Sequence, residues 1–517
     1  MSNKDPMTEN LTSRHRWLIL VAMTGSLAMI MMDTTVVGVA LATIGEELGL
    51  DETTQAWVVN GYLLAMASLI ALGGRIGDLI GKARAFRIGV SVFAISSLGC
   101  GLSESGSMLI GFRVLQAVGA VLMQPASSAM VVSIAEPGRE GRFMGFYIGI
   151  SMLGLVAGPV LGGVIATHLG WSWIFFINLP IAAFALLMTF LVRLPALRDP
   201  QKGLDLVSVM LLVVSLPLCI GVLQQAGSWG FLDPRTLAGV AIGFVGLVFF
   251  IRRQAKVARP LVNLELLRDR GFLADAGMLG LMQFALTGTA IQLPILTQAT
   301  WGFDAQQAGL ATLPLVVPVV LLVQVAGRLY DRFGVRRLAV PAAVIASMSV
   351  VLLGAASINR SLPLLFAGMV LLGMSMPFVN MPANTDGMRR VGQDRRGLAS
   401  GLLQTVRMTG STMGVAVTAA IAANFELGAE AISKLDCGDV APETIQRAAS
   451  GDPKAFSSVA AMVPTGSECL DVIRQGISSG IGWGFVVAGL VASTGVIAAI
   501  CWRPGDDVAQ SESSRGR

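Results

Sequence analysis

Three charged residues sit where an apolar sequence tolerates them least. Asp33 lies inside the apolar run 17–41, Arg113 inside 108–134 and Arg407 inside 397–424. A charge at the centre of a bilayer costs roughly 2.5–3.5 kcal/mol on insertion scales, so such residues face a cavity or a partner and mark function. A lone carboxyl in that setting can take up and release a proton according to the side of the membrane it sees. It can also attract a cationic substrate, or simply bond the hydroxyls of Thr34 and Thr35. Arg113 needs a carboxylate, a carbonyl or water. It and Asp33 both fall in the outer portion of their runs, so the two can approach, and a cation loses its grip on a carboxylate that protonates. The competing use is snorkelling to the outer interface. Arg407, near Gln404, can bind anionic substrate groups, satisfy a carbonyl or pack. Asn60, Gln124, Asn178, Gln292, Gln298, Asn380 and Asn384 are the uncharged candidates for a substrate cavity, with plain helix-to-helix bonding as the alternative. Asp275 and Asp386 lie near span ends, where hydration is cheap.

These residues are carried by a chain of 517 residues that is 54% hydrophobic and only 13% charged. Mean hydropathy is +0.71. A soluble chain carries about a quarter charged residues, so a soluble enzyme and a disordered chain are both excluded. Apolar runs near the ~20 residues needed to cross a bilayer recur at 17–41, 56–74, 85–103, 108–134, 143–167, 171–192, 204–226, 236–251, 271–297, 307–327, 338–357, 361–385, 397–424 and 479–502. The sequence therefore predicts an all-α polytopic membrane protein with fourteen spans. The two tails and the loops after even-numbered spans hold 28 of the 37 Lys and Arg residues, and Arg87 stands at the adjoining end of the third run. By the positive-inside rule both termini are cytoplasmic, as an even number of spans requires. The basic charge is thus an orientation signal and a contact for membrane lipids, and implies no nucleic-acid partner.

Two cytoplasmic loops repeat one pattern 253 residues apart. Gly74, Arg75, Asp78, Gly81 and Arg84 in the first match Gly327, Arg328, Asp331, Gly334 and Arg337 in the second. The duplication divides the chain into a tail (1–16), a six-helix half (17–192), a linker with two inserted helices (193–270), a second six-helix half (271–502) and a tail (503–517). Parallel repeats of this kind are a transporter architecture. Asp78 and Asp331 are placed to accept from Arg84 and Arg337 and to face a helix N-terminus of the other half, latching the cytoplasmic side.

The fifth run carries Gly154, Gly158, Pro159, Gly162 and Gly163. Glycines four apart allow close helix contact and proline permits a bend, which suits a hinge between rocking halves or a tight static packing. The long external loop, 425–478, holds Cys437 and Cys469, which pair in an oxidising compartment or stand as two free thiols. No GxxxxGK[ST] loop is present, and His15 and His168 cannot form a His-rich metal site. No cofactor is expected, and the proton gradient remains as the common drive.

The duplicated loop resembles the signature of the major facilitator superfamily. Met32 to Leu41 is similar to the acidic first-helix motif of its drug:proton antiporter branch, and Arg113 to Gly119 resembles that branch's arginine motif. Gly149 to Gly163 resembles the motif associated with antiport, and Trp171 to Pro180 is also typical. The resemblance implies a major facilitator fold, a bacterial cell membrane, and export of amphipathic small molecules in exchange for protons. It implies proton handling by Asp33 and Arg113 and no enzymatic activity. A dedicated exporter of a lipid, siderophore or metabolite, and a non-transporting sensor or scaffold, are the alternatives; no motif names an envelope partner.

Overall fold

The computed structural model describes residues 12–191, 205–229, 233–257, 269–303, 305–391, 396–423 and 467–500, less positions 51 and 137, with short pieces at 266, 425, 437, 440–449, 458–459 and 462–463. Fourteen helices follow the fourteen apolar runs, because in hydrocarbon every backbone N–H and C=O must be satisfied within the segment. The first six are α1 (Ser13–Leu48), α2 (Glu52–Ile80), α3 (Lys82–Gly101), α4 (Gly106–Ile134), α5 (Glu140–Leu169) and α6, in two pieces (Trp173–Phe176 and Asn178–Leu191). The inserted pair is α7 (Leu206–Trp229) and α8 (Pro234–Gln254). The later half begins with α9 (Arg270–Trp301). A 46-residue helix, Leu313–Ile358, is broken at Gly334 into α10 (313–333) and α11 (335–358). α12 (Leu362–Arg389), α13 (Arg396–Ala423) and α14 (Glu468–Ile500) complete the set. Among the described residues, nine helical stretches are long and apolar enough on their own to cross a membrane, and the stretch 307–358 contains both α10 and α11.

Local sequence sets the ends. Ser105 accepts from the Met108 N–H at 3.3 Å, and Asp233 accepts from the Arg235 N–H at 2.7 Å with Pro234 opening α8. Gly49 and Gly302 close α1 and α9 in the left-handed region. The inserted helices lie on the outside. α7 meets α2, where Gly221 faces Leu64, and α8 packs on α7, where Gly243 faces Cys219. Leu237, Ile242, Phe244, Val245 and Phe249 of α8 are all exposed, as a lipid-facing helix requires. α14 starts at Glu468, eleven residues before the apolar run, since its first turns are polar. Cys437 and Cys469 are joined by a disulfide, with their Cα atoms 5.5 Å apart. Below, the end of the bundle that carries the duplicated loops is called the basic end.

Candidate functional site

Asp33 on α1 is sealed inside the first half, with no solvent exposure. Arg113 on α4 donates through Nη1 to its Oδ2 at 2.5 Å. The same nitrogen donates to Gln116 Oε1 at 2.7 Å, and Arg113 Nε donates to the Val58 carbonyl of α2 at 3.2 Å. Gln116 Nε2 donates to Asp33 Oδ1 at 2.9 Å and to Ser97 Oγ of α3 at 2.8 Å. Asn178 Nδ2 of α6 reaches Asp33 Oδ1 and Ser97 Oγ, both at 3.3 Å. The Tyr62 ring lies 4.1 Å under the guanidinium. Five helices thus converge on one carboxylate. Removing one partner from such a buried pair costs about 3–5 kcal/mol, because the other charge is left bare. The structure brings Asp33 and Arg113 together, but in the core of one half and closed to any cavity. Asn178, expected in a substrate cavity, belongs to this cluster instead. Gln116, Ser97 and Tyr62 escape a linear reading. Only Gln116 carries a signal, its position three residues after Arg113 on the same helical face.

The glycine run of α5 divides in two. Toward the basic end, Gly141, Gly145 and Gly149 lie against Gly327, Val323 and Gln324 of α10 in the other half. Further along, Gly154 faces the backbone of Ala28, Gly158 faces Met32 and Thr35, and Gly162 faces Val36, all on α1. The expected hinge at Gly154, Gly158 and Gly162 is therefore a contact inside one half, on the helix that carries Asp33. Spacing shows that a neighbour comes close without saying which neighbour. The side chain of Pro159 lies outside the described residues; Gly163 is half-buried.

The duplicated loops form two reciprocal caps. Asp78, at the end of α2, accepts from the N–H groups of Gly397 at 3.0 Å and Leu398 at 2.6 Å, the opening turn of α13. Asp331, at the end of α10, accepts from Gly141 at 2.7 Å and Arg142 at 3.0 Å, the opening turn of α5. A carboxylate on free N–H groups at the positive end of a helix is favourable on both counts. Gly74 and Gly397 touch backbone to backbone, as do Gly327 and Gly141, so a side chain at any of the four would part the halves. Gly81 (φ 97°) and Gly334 (φ 75°) make the turns. The expected acceptance from Arg84 and Arg337 is not seen. Both arginines are exposed, and the cation on Asp78 is Lys82, at 2.9 Å with both groups buried. Arg75 is buried beside this cap.

The family model described as Major Facilitator Superfamily matches residues 23–415. The chain belongs to the major facilitator superfamily. It is 28% identical over 504 residues to the tetracenomycin C resistance and export protein of Streptomyces glaucescens, covering 94% of this chain and 91% of that one. It is 30% identical to the puromycin resistance protein pur8 of Streptomyces alboniger, over 78% of this chain and 81% of the relative. It is also 29% identical to the multidrug resistance protein Stp of Mycobacterium tuberculosis, over 80% and 76%. The fold resembles the solved proton:xylose symporter XylE, with a TM-score of 0.60 at 15% identity, covering 95% of each chain. This major facilitator protein is a multi-pass membrane transporter and not an enzyme.

The remaining polar candidates of the transporter fall into three groups. Gln298 is exposed on the stripe of Ile291 and Ile295, so it faces outward and not into the bundle. Asn60 is half-buried, and Gln292 is buried. Gln124 Oε1 on α4, Asn380 Oδ1 and Asn384 Oδ1 on α12, and Gln404 Oε1 and Arg407 Nε on α13 are buried without a hydrogen-bond partner among the described residues. Of the two span-end carboxylates, Asp275 is buried, against expectation, and accepts from Arg390 Nε at 3.3 Å, whereas Asp386 is half-buried and accepts from the same nitrogen at 2.8 Å. A cavity of about 320 Å³ lies at the basic end between Trp17, Phe143, Phe146, Arg142 and Arg328. Trp17 is sixteen residues from Asp33, about 24 Å along a helix, so this cavity is not the ion-pair site.

Proposed function

We propose that the protein is a proton-coupled exporter of amphipathic small molecules, with Asp33 as the proton-binding group and Arg113 as its gauge. The observation that carries this reading is the sealed Asp33–Arg113 pair. Ionised Asp33 holds Arg113, Gln116 and Asn178 in one arrangement. A protonated carboxyl no longer attracts the guanidinium, which then needs another acceptor. α1 carries that change to Gly154, Gly158 and Gly162 of α5, and the start of α5 is the helix that Asp331 caps from the other half. One helix thus links the proton site to the inter-half contact. The basic end is assigned to the cytoplasm by its arginines and lysines, so the capped state is closed to the cytoplasm. Three relatives are named for resistance to or export of antibiotics and drugs, which supports export as the direction.

The test is efflux of a panel of fluorescent amphiphiles from energised cells, with wild type and Asp33→Asn at equal expression. The reading expects efflux that an uncoupler abolishes and that Asp33→Asn lowers at least about 10-fold, within the usual range for the loss of coupling between two linked sites. Uncoupler-resistant efflux would rule out the proton drive. Efflux by wild type of one compound class alone would mark a dedicated exporter, as the single compounds in two of the relatives' names suggest.

A further inference from the structure

The chemical class of that substrate is written in the second half, and this inference rests on the export reading above. On α13, Ser400, Gln404, Arg407 and Ser411 recur at i, i+4, i+7 and i+11, one helical face. At Ser400 this face meets the first half, where Ser400 Oγ and Ser128 Oγ of α4 are 2.6 Å apart. Gln124 lies one turn from Ser128 on α4, and Asn384 lies on the neighbouring α12. Arg407 stands about 10 Å further from the basic end than Ser400. Among the described residues no carboxylate pairs with it, and its Nε has no acceptor. Gln124, Asn384 and Gln404 are each more than nine-tenths buried, and each keeps an unpartnered amide oxygen. In the first half, by contrast, every buried charge near the middle of a span is matched, Asp33 by Arg113. The face of α13 that meets the first half at Ser400 therefore carries a positive charge that no carboxylate among the described residues pairs with.

We propose that Arg407 is the binding site for the anionic head of the substrate, a carboxylate or ionised phenol on an apolar body, with Gln124, Asn384 and Gln404 bonding its neutral polar groups. A planar guanidinium takes such a head through two parallel hydrogen bonds. A lipophilic cation meets only repulsion. The proposal also fixes the charge moved: one proton in and one monoanion out carry two positive charges inward, whereas exchange for a monocation carries none.

The experiment uses three matched probes on purified full-length protein in nanodiscs: a naphthyl carboxylate, its methyl ester and the corresponding naphthyl ammonium, titrated by tryptophan fluorescence. Export of the same probes is then followed in proteoliposomes at imposed potentials. The expected result is binding of the carboxylate at least about 10-fold tighter than of the other two. Arg407→Gln should erase that preference and Arg407→Lys keep most of it, and carboxylate export should speed up at inside-negative potential. Equal binding of the three probes, or a preference unchanged in a folded Arg407→Gln protein, overturns the anion site while export stands. If no probe of any charge binds or moves with a monodisperse wild-type protein, the export reading falls and the anion site with it. Should Arg407→Gln fail to fold, the charge preference and potential dependence of wild type and Arg407→Lys still decide.

Discussion

Asp78 and Asp331 each bind the second and third N–H groups of a helix that belongs to the other half, and each cap sits beside a glycine pair in backbone contact. The geometry is duplicated, but the chemistry around it is not. Asp78 has Lys82 buried against it, whereas the matching position beside Asp331 is Val335. The contrast widens toward the middle of the membrane. At the 253-residue offset of the loops, Asp33 corresponds to Leu286 and Arg113 to Phe366. The second half holds instead Arg407, with no carboxylate paired to it among the described residues, beside the unpartnered amide oxygens of Asn380, Asn384 and Gln404. Symmetric parts are those that a rocking motion needs on both sides. On the proposed reading, the asymmetric parts are those that handle charge, the proton in one half and the cargo at Arg407 of the other.

Breaking the first half's charge balance should have the largest effect. Arg113→Gln leaves Asp33 buried beside no cation and is expected to cost about 3–5 kcal/mol in unfolding. Asp33→Asn with Arg113→Gln together should recover part of that loss, with a coupling of about 1–3 kcal/mol in a double-mutant cycle followed by thermal unfolding. Additive losses would contradict the sealed pair.

The two caps come next, and they should not be equal. Asp78→Asn takes the carboxylate away from a buried lysine, with an expected loss of about 3 kcal/mol. Asp331→Asn removes only part of a cap, about 1 kcal/mol. Lys82→Met added to Asp78→Asn should bring the two halves' losses closer together. Cysteine crosslinking between α2 and α13 reports the same ranking as loss of closure at the basic end.

A third pair of substitutions separates the two parts of α5. Gly154→Leu drives a side chain into α1 within one half and should lower the melting temperature, by about 1–3 kcal/mol of overpacking. Gly145→Leu acts between halves, against α10. It should open the basic end to a water-soluble thiol reagent while the melting temperature moves less. If Gly154→Leu opened that end and left stability unchanged, α5 would be an inter-half hinge along its whole length.

The smallest effect belongs to the inserted pair. Asp205, just before α7, accepts from Arg253 Nε at 2.7 Å and Nη2 at 2.9 Å. These bonds, with that of Ser208, hold its carboxyl well below the usual carboxylate range. A depressed folded value means the pair stabilises above the unfolded carboxylate pKa of about 3.9 and is lost only as pH falls through the folded value. Asp205→Asn should therefore change stability slightly and equally at pH 5 and pH 8. A difference that appeared only between those two values would point to another group.

Much of this was legible in the residues. Hydropathy set the helices, because a bilayer demands about twenty apolar residues per crossing. The repeated glycine and aspartate marked the caps, because only glycine allows the close crossing and the positive-φ turn. The pairing of Asp33 with Arg113 followed from their common depth. Other contacts depend on which helices adjoin, which spacing does not encode. Asn178 reads like any cavity amide until α6 is seen beside α1, and Lys82 reads like topogenic charge until it is seen buried on Asp78. Gly141 and Gly397 did carry a signal, since each opens the fifth helix of its half and is followed by another glycine four residues on.

The central claim is that Asp33 carries the proton and the second half carries the cargo. Proteoliposomes containing wild type or Asp33→Asn, loaded with a pH dye and a transported amphiphile, test it directly. Wild type should move protons when an amphiphile gradient is imposed, and amphiphile when a pH gradient is imposed. Asp33→Asn should retain amphiphile counterflow, in which no net proton moves, while substrate-driven proton movement disappears. Proton movement that persisted in Asp33→Asn at the wild-type rate would contradict the account.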